Sequence, residues 1–84
     1  MRYKVYMTHS IESLEDSLLI ATRSNYKDCW EAINDFLKKE EISKERYIRY
    51  LLDNEKQTLF IDFGSWSTFA AISPIPQEIF DWFY

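Results

Sequence analysis

The chain has 84 residues, of which 46% are hydrophobic, 18% aromatic and 29% charged, and its 10 Lys and Arg against 14 Asp and Glu give a formal net charge of −4. This composition predicts one small globular domain that spans residues 1–84. The length excludes a doubly wound sheet and a TIM barrel, because these architectures need roughly 150 residues or more.

Three residue types are too scarce for several kinds of functional site. The single glycine, Gly64, leaves no glycine-rich loop for a nucleotide phosphate, which excludes P-loop and Rossmann-type binding. One Cys and one His cannot supply the ligands of a structural zinc site, so we expect no metal and no cofactor.

The sequence also indicates where the protein resides. The lone Cys29 excludes an internal disulfide, so nothing requires an oxidising compartment. Residues 1–7 alternate charged and apolar side chains, unlike the apolar core of a secretion signal, and no apolar run approaches the ~20 residues of a membrane span. We therefore expect a cytoplasmic protein with no membrane contact.

The first two predicted elements are strands. Residues 2–8 alternate in character, which is typical of a half-buried strand. After an acidic connection over residues 9–16, the short apolar run 18–23 predicts a second strand, which forms a hairpin with the first.

An amphipathic helix is predicted over residues 26–39. Apolar side chains recur there at spacings of three and four residues, and polar side chains fill the opposite face. Asn25 is placed to cap the first turn, Asp28 suits the positive N-terminal pole, and Lys38 and Lys39 suit the negative C-terminal pole. The apolar stripe consists of Tyr26, Cys29, Trp30, Ile33, Phe36 and Leu37.

A second hairpin is predicted after the helix. Residues 46–52 fit both a helix and a strand by their spacing. A strand is favoured because the turn-rich residues 53–57 connect this segment to the strand-like run 58–63.

The C-terminal part adds one strand and a helical tail. A short strand is predicted over residues 68–72, and Pro74 and Pro76 end regular pairing. Residues 77–84 are expected to form one or two helical turns. The whole is an α+β fold with a small antiparallel sheet of three to five strands in a ββαββ-like order, one main amphipathic helix packed on one face, and a short C-terminal helical turn.

Two residues suggest an enzyme, and each has a simpler interpretation. His9 precedes an acidic segment, and a histidine beside carboxylates can act as a general base. No nucleophile or oxyanion donor accompanies it in the sequence, so an exposed loop histidine is favoured. Cys29 lies in the first helical turns, where a thiol pKa can fall, yet it belongs to the apolar stripe and is interpreted as a small buried hydrophobe. We therefore expect no enzymatic activity.

Charged surfaces for nucleic acid, calcium or DNA mimicry are also disfavoured. The middle of the chain places Lys and Arg beside Tyr47 and Tyr50, but acids in the same segment and the net charge of −4 oppose phosphate binding. A calcium site at residues 53–55 lacks the glycine of a sharp loop. The acids that suit a DNA-mimicking inhibitor are interleaved with cations, and the sequence leaves open whether they converge after folding.

The distribution of aromatic residues is the strongest functional indication. Residues 57–84 contain eight of the fifteen aromatic residues and no Lys, Arg or His. A domain of this size cannot easily bury them all, and aromatic anchors without neighbouring cations are typical of the centre of a protein interface. The alternative is that Trp66 and Phe69 complete the core and that the C-terminal tail folds back onto the sheet. The predicted protein-binding residues are Trp66, Phe69, Phe80, Trp82 and Phe83.

Residues 61–69, Ile-Asp-Phe-Gly-Ser-Trp-Ser-Thr-Phe, resemble small uncharacterised accessory proteins carried by phages and mobile elements of low-GC Gram-positive bacteria. The resemblance covers this segment alone. It implies an accessory protein that binds a host or defence component, a role of which anti-CRISPR proteins are one example, and it carries over no catalytic residue.

The leading hypothesis is therefore a non-enzymatic, acidic protein-binding module, in its most concrete form an inhibitor of a host or defence protein. The alternative is a homodimeric structural protein whose aromatic C-terminal surface is the seam of self-association. Both hypotheses require a protein partner, either a different protein or a second copy of this chain, and neither requires nucleic acid.

Overall fold

The computed structural model describes residues 2–11, 14–42, 48–64 and 68–83, and for Trp82 and Phe83 it describes the backbone alone. The described residues form an α+β fold with one five-stranded antiparallel sheet and two helices, as the sequence predicts at the level of fold class. Three strands follow the first helix. In chain order the elements are β1 (Tyr3–Thr8), β2 (Leu18–Arg23), α1 (Tyr26–Lys39), β3 (Arg49–Asp53), β4 (Thr58–Asp62), β5 (Phe69–Ser73) and α2 (Gln77–Phe83).

The strands are ordered β2-β1-β5-β4-β3, so β5 lies at the centre of the sheet and β2 and β3 lie at its edges. All four neighbouring pairs are antiparallel. The two predicted hairpins, β1–β2 and β3–β4, are confirmed as paired strands. The segment that fitted both a helix and a strand is a strand over residues 49–53, while residues 43–47 lie outside the described part of the chain.

Asp53 holds the tight connection between β3 and β4. Its Oδ1 accepts a hydrogen bond from the backbone N–H of Lys56 at 3.0 Å, and its Oδ2 lies 3.4 Å from the Lys56 ammonium. The backbone hydrogen bond is the main reason that the pKa of Asp53 is lowered. Gln57 ends the turn with φ 51°, and its side-chain amide donates to the carbonyl of Asn54 at 2.7 Å.

Strand β2 contains one residue more than the part of β1 that it faces. Val5 pairs with Ala21, whereas Tyr6, the next residue of β1, pairs with Leu19, so Ile20 has no opposing residue. This arrangement is a β-bulge, and it interrupts the alternation of β2. Ile20 and Ala21 consequently both pack against the core although they are adjacent in sequence.

Local hydrogen bonds close both ends of α1, whose predicted bounds and N-cap are confirmed. At the N-terminus the Asn25 side-chain oxygen accepts from the backbone N–H of Asp28 at 2.8 Å, and the Asn25 amide donates to the Asp28 carboxylate at 3.0 Å. At the C-terminus the N–H of Ile42 donates to the carbonyl of Leu37 at 2.8 Å, and Glu41 between them has φ 56°. This combination is a Schellman motif, in which the position of positive φ is usually a glycine.

An aromatic contact joins α1 to the edge strand β3. The Trp30 indole Nε1 donates a hydrogen bond to the Tyr26 hydroxyl at 2.6 Å. The rings of Trp30 and Tyr50 meet edge to face with centroids 6.5 Å apart. Burial holds the pKa of Tyr26 well above its ordinary range, so the hydroxyl that accepts from Trp30 stays protonated at neutral pH.

The core lies on one face of the sheet, which we call the inner face. Strand residues of this face form a single buried cluster with residues of both helices. The residues that alternate with them along the strands form the outer face. In the described residues no helix has the length and apolarity needed to cross a bilayer. The fully buried members of the cluster are Val5, Cys29, Ile33, Leu59, Ile61, Phe63, Ala70, Ile72 and Ile79.

Candidate protein-binding surface

Five apolar side chains, one from each strand, lie side by side across the outer face. In the registers of the sheet Tyr6 faces both Leu19 and Ala71, and Phe60 faces both Ala71 and Leu51. Residues opposite each other in antiparallel strands place their side chains on the same face, within contact distance. We call these five residues, in spatial order Leu19, Tyr6, Ala71, Phe60 and Leu51, the apolar row.

Exposure within the apolar row increases from its centre to its ends. Ala71 and Phe60 are 0% and 1% exposed, whereas Leu19 and Leu51 at the two sheet edges are 49% and 41% exposed. Leu19 and Leu51 lie on opposite edge strands with the buried Ala71 and Phe60 between them, so the two exposed leucines are separate apolar sites at the two edges of one face. The centre of the row is therefore part of the packed fold, and its ends are open to solvent.

The connection between β1 and β2 contributes to one end of the apolar row. Ile11 belongs to this connection, is 40% exposed, and lines the same groove as Leu51 and Phe60. The groove has a volume of about 330 Å³ and is bordered by the acidic residues Asp53 and Glu55. An apolar floor with a polar border is typical of the centre and rim of a protein interface.

Polar residues flank the apolar row on both sides. On one side Lys4 faces Thr22 and Ser73. On the other side Arg49 of β3 faces Asp62 of β4, and its Nη2 lies 2.7 Å from the Asp62 Oδ2. The outer face is thus an apolar stripe bounded by hydrogen-bonding groups.

Asp62 is held by two partners. Its Oδ1 accepts a hydrogen bond from the backbone N–H of Gly64 at 2.9 Å, and its Oδ2 accepts from Arg49. These hydrogen bonds, the one from Gly64 foremost, lower the pKa of Asp62. Gly64 has φ 93°, a conformation that favours glycine, so the only glycine of the chain is used for the turn that follows β4.

Two of the five predicted binding residues have described side chains. Phe69 is half-buried and faces Thr8 across the strands, on the outer face beside the apolar row. Phe80 of α2 is half-buried and packs against the core cluster on the inner face, so the structure does not bring these two rings together. Trp66 lies outside the described residues, and Trp82 and Phe83 belong to α2 with side chains outside the description.

The exposed aliphatic residues were not among the residues predicted to bind. Among the described residues, the exposed large apolar side chains are Ile11, Leu18, Leu19 and Leu51. One signal was present in the sequence, because adjacent residues in a regular strand point to opposite faces, so Leu18 and Leu19 place a leucine on each face of β2. The alignment of Leu19 with Leu51 depends on the pairing of all five strands, which no local pattern encodes.

Cys29 and His9, the two residues considered for catalysis, belong to different elements and differ in exposure. Cys29 is 0% exposed, and burial raises its pKa to about 11, so the thiol remains protonated at neutral pH. His9 is exposed in the connection that follows β1. Within residues 2–11, 14–42, 48–64 and 68–83, no group of three or more His, Cys, Asp or Glu is arranged to hold a metal ion.

Comparison of the chain with protein-family models, with curated proteins and with solved structures found no match.

Proposed function

We propose that this protein is a small, acidic, non-enzymatic protein-binding module that binds its partner through the outer face of the sheet. The observation that carries the proposal is the apolar row, whose ends Leu19 and Leu51 are open at both edges of the sheet. Burial of such side chains by a partner removes apolar surface from water, which is the main driving force of protein association.

The two faces of the sheet have different roles in this proposal. The amphipathic helix α1 packs on the inner face and supplies the core with Cys29, Ile33 and Leu37. The partner contacts the outer face at the ends of the apolar row, because Ala71 and Phe60 at its centre are already buried. Lys4 and Arg49 lie at its rim, where hydrogen bonds and ion pairs set orientation more than affinity.

Four of the five predicted aromatic residues remain part of the proposed surface. Phe69 lies on the outer face beside the apolar row and extends it with an aromatic ring. Trp66, Trp82 and Phe83 are proposed as further anchors, because Trp and other aromatic residues are enriched among the residues that dominate binding energy. Phe80 is left out of the proposed surface, because its ring packs against the core cluster on the inner face. The outer-face residues and the tail can be tested separately, because they belong to different elements.

The proposed partner is a host or defence protein of the cytoplasm. This part of the proposal rests on the resemblance of residues 61–69 to phage and mobile-element accessory proteins. An inhibitor of this kind needs affinity and no chemistry of its own, in keeping with the burial of Cys29, the only thiol of the chain.

Self-association is the second candidate function, and the sheet edges favour it. Within the described residues no strand pairs with the outer edge of β2 or of β3. Both edge strands carry exposed leucines, and an open edge is a template for pairing with another chain. Two copies joined around a two-fold axis would form a homodimeric structural protein.

The deciding experiment compares the wild-type protein with the double variant Leu19→Glu, Leu51→Glu. Glu31→Gln is the matched control, because Glu31 is an exposed residue of α1 and lies outside the proposed surface. Each protein is used as bait in a lysate of a low-GC Gram-positive bacterium. The captured complex is purified, and its molar mass is determined by light scattering.

The proposal expects one protein to form a stoichiometric complex with the wild type and the control but not with the double variant. A dimeric mass of the purified wild type that is lost in the double variant supports self-association instead. A complex that survives Leu19→Glu, Leu51→Glu and is lost on replacing Trp82 and Phe83 by Ala moves the binding surface to the tail.

A further inference from the structure

A second apolar depression lies on the other side of the edge strand β2, where the beginning of this strand meets the C-terminal end of α1. It has a volume of about 280 Å³, and we call it the β2–α1 cleft. Leu18 of β2, Phe36 of α1 and Ile42, which follows α1, supply apolar lining. Leu18 is 57% exposed, the largest exposure among the described large apolar residues, so the cleft opens to solvent at this residue.

The charged residues that line the cleft, among those the structure describes, are both acidic. Asp16 and Glu40 are both exposed and both line the cleft, and no Lys or Arg does so among the described residues. Glu40 caps the C-terminus of α1, where the helix dipole adds roughly half a negative charge. Lys38 and Lys39 belong to the same last turn but do not line the cleft. The described lining therefore combines two carboxylates with apolar side chains, and His9 is the other titratable side chain in it.

Local hydrogen bonds preform both walls of the cleft. The hydroxyl of Thr8 donates to the carbonyl of Ser10 at 3.0 Å and accepts from the Ser10 N–H at 3.2 Å, which fixes the chain where His9 leaves β1. The opposite wall is held by the hydrogen bond from Ile42 to Leu37 that ends α1. A preformed site loses less conformational freedom when it is occupied, which favours binding.

The size and charge of the cleft select its occupant. Drug-sized ligands occupy pockets of about 300–1,000 Å³, and this cleft lies just below that range. A Lys or Arg side chain combines an aliphatic stem with a terminal cation, so it buries the stem on apolar surface while the charge stays at the rim. Leu18 and Ile42 complement the aliphatic stem. Asp16 and Glu40 complement the cation.

We propose that the β2–α1 cleft receives a basic side chain of the protein partner, with its stem against Leu18 and Ile42 and its cation facing Asp16 and Glu40. This inference rests on the proposed function, because it assigns the cleft to the same partner. The connection is Leu19, which follows Leu18 in the edge strand and forms one end of the apolar row. A partner that grips the edge of β2 thus reaches the outer face and the cleft together.

The test uses a matched pair of capped amino acids, N-acetyl-arginine methylamide and N-acetyl-citrulline methylamide. The two probes have nearly the same shape and differ in charge. Binding to the full chain is measured by NMR from the methyl signals of Leu18 and Ile42, with Leu51 on the outer face as an internal reference. The variants are Asp16→Asn and Glu40→Gln, and the control is Glu31→Gln, at an exposed position of α1 that does not line the cleft.

The proposal expects the arginine probe to shift the Leu18 and Ile42 signals saturably in the millimolar range, and the citrulline probe to bind at least fivefold more weakly. Asp16→Asn and Glu40→Gln should each weaken the arginine probe about threefold or more, whereas Glu31→Gln should not. Equal affinity for the two probes, or no saturable shift, overturns the proposal. Free n-butylguanidinium binding at least tenfold more tightly than the capped arginine also overturns it, because the site then selects a small cation over a side chain.

Failure of this inference is distinguishable from failure of the proposed function. The probe experiment measures binding of a small molecule to the cleft in the absence of a protein partner. Its variants lie outside the apolar row. The Leu19→Glu, Leu51→Glu experiment reads the outer face, and neither residue lines the cleft. If the arginine probe does not bind but Leu19→Glu, Leu51→Glu still abolishes the complex, the protein-binding function stands. Only the proposal that a basic side chain occupies the cleft is then rejected.

Discussion

Arg49 binds Asp62 through a single carboxylate oxygen: its Nη2 and Nε lie 2.7 and 3.2 Å from the Asp62 Oδ2, while the other oxygen accepts from the backbone of Gly64. The pair connects the edge strand β3 to β4 beside the apolar row. The Arg49 side chain is 69% exposed and that of Asp62 only 11%, so the carboxylate is the protected member. Because solvent screens the charge of Arg49, the charge–charge attraction contributes little to stability. The hydrogen bonds to the Asp62 carboxylate contribute most of the stabilisation.

Acid should remove the contribution of Asp62 to stability. Its pKa in the folded protein is below the ordinary value of 3.8, so the folded state favours the ionised carboxylate. The contribution is therefore present above pH ~4 and is lost as the pH falls through the folded-state pKa. We expect Asp62→Asn to lower the free energy of unfolding by about 1 kcal/mol at pH 7 and by less at pH 2.5.

Chemical denaturation at the two pH values measures this difference. Asp35→Asn, at an exposed position of α1, is the control and should preserve the wild-type difference between the two pH values. An equal loss for Asp62→Asn at pH 7 and pH 2.5 would show that ionisation of this carboxyl does not stabilise the fold.

A glycine at position 41 should stabilise the protein. Glu41 has φ 56° in the Schellman motif that ends α1, and a side chain in this region costs about 1 kcal/mol relative to glycine. We expect Glu41→Gly to raise the free energy of unfolding by about 0.5–1 kcal/mol in urea denaturation. The control is Glu40→Gly, because Glu40 has φ −89° and gains nothing from glycine. A loss of stability in both variants contradicts the conformational argument.

Cys29 should resist thiol reagents in the folded protein. The side chain is fully buried, and burial raises its pKa from 9.0 to about 11, so both access and the thiolate fraction are small. At pH 8 we expect iodoacetamide labelling, followed by mass spectrometry, to proceed only in denaturant or at the rate of unfolding. Fast labelling of the native protein would return Cys29 to the candidates for chemistry.

The two parts of the apolar row should respond differently to truncation. Phe60 is 1% exposed, so Phe60→Ala should lower the free energy of unfolding by about 3 kcal/mol. Leu51→Ala removes a side chain that is 41% exposed and should cost less than about 1 kcal/mol. Urea denaturation measures both values. Similar losses for the two variants would mean that Leu51 serves the fold, which would weaken the assignment of this end of the row to binding.

Local patterns were sufficient for some elements of the fold. The bounds of α1 follow from its spacing and from the Asn25 cap, which involves residues three apart. Residues 18–23 form β2 as predicted, because the apolar run ends at turn residues. The segment that includes β3 was ambiguous, since its pattern fits two periods, and its pairing with β4 makes it a strand.

The surface could not be read from the sequence in the same way. The aromatic residues were chosen by type, but exposure is decided by register, and the central pairing of β5 with β1 joins residues more than sixty positions apart. Phe60 and Phe63 are buried, whereas the exposed large apolar side chains among the described residues are aliphatic. Of the two predicted binding residues with described side chains, Phe69 lies on the outer face and Phe80 packs against the core cluster.

The aliphatic run around the bulge at Ile20 keeps the surface of β2 similar in two registers. In a ladder without the bulge, Ile20 would face Tyr6 in place of Leu19, and Leu19 would face Met7 in place of Leu18. Because all three consecutive residues are large and aliphatic, both the end of the apolar row and the mouth of the β2–α1 cleft would keep the same chemistry in either register. Because Leu18, Leu19 and Ile20 are all large and aliphatic, a one-residue shift in the register of β2 leaves an aliphatic side chain at each of these positions. A single aliphatic residue would be lost from its position by the same shift.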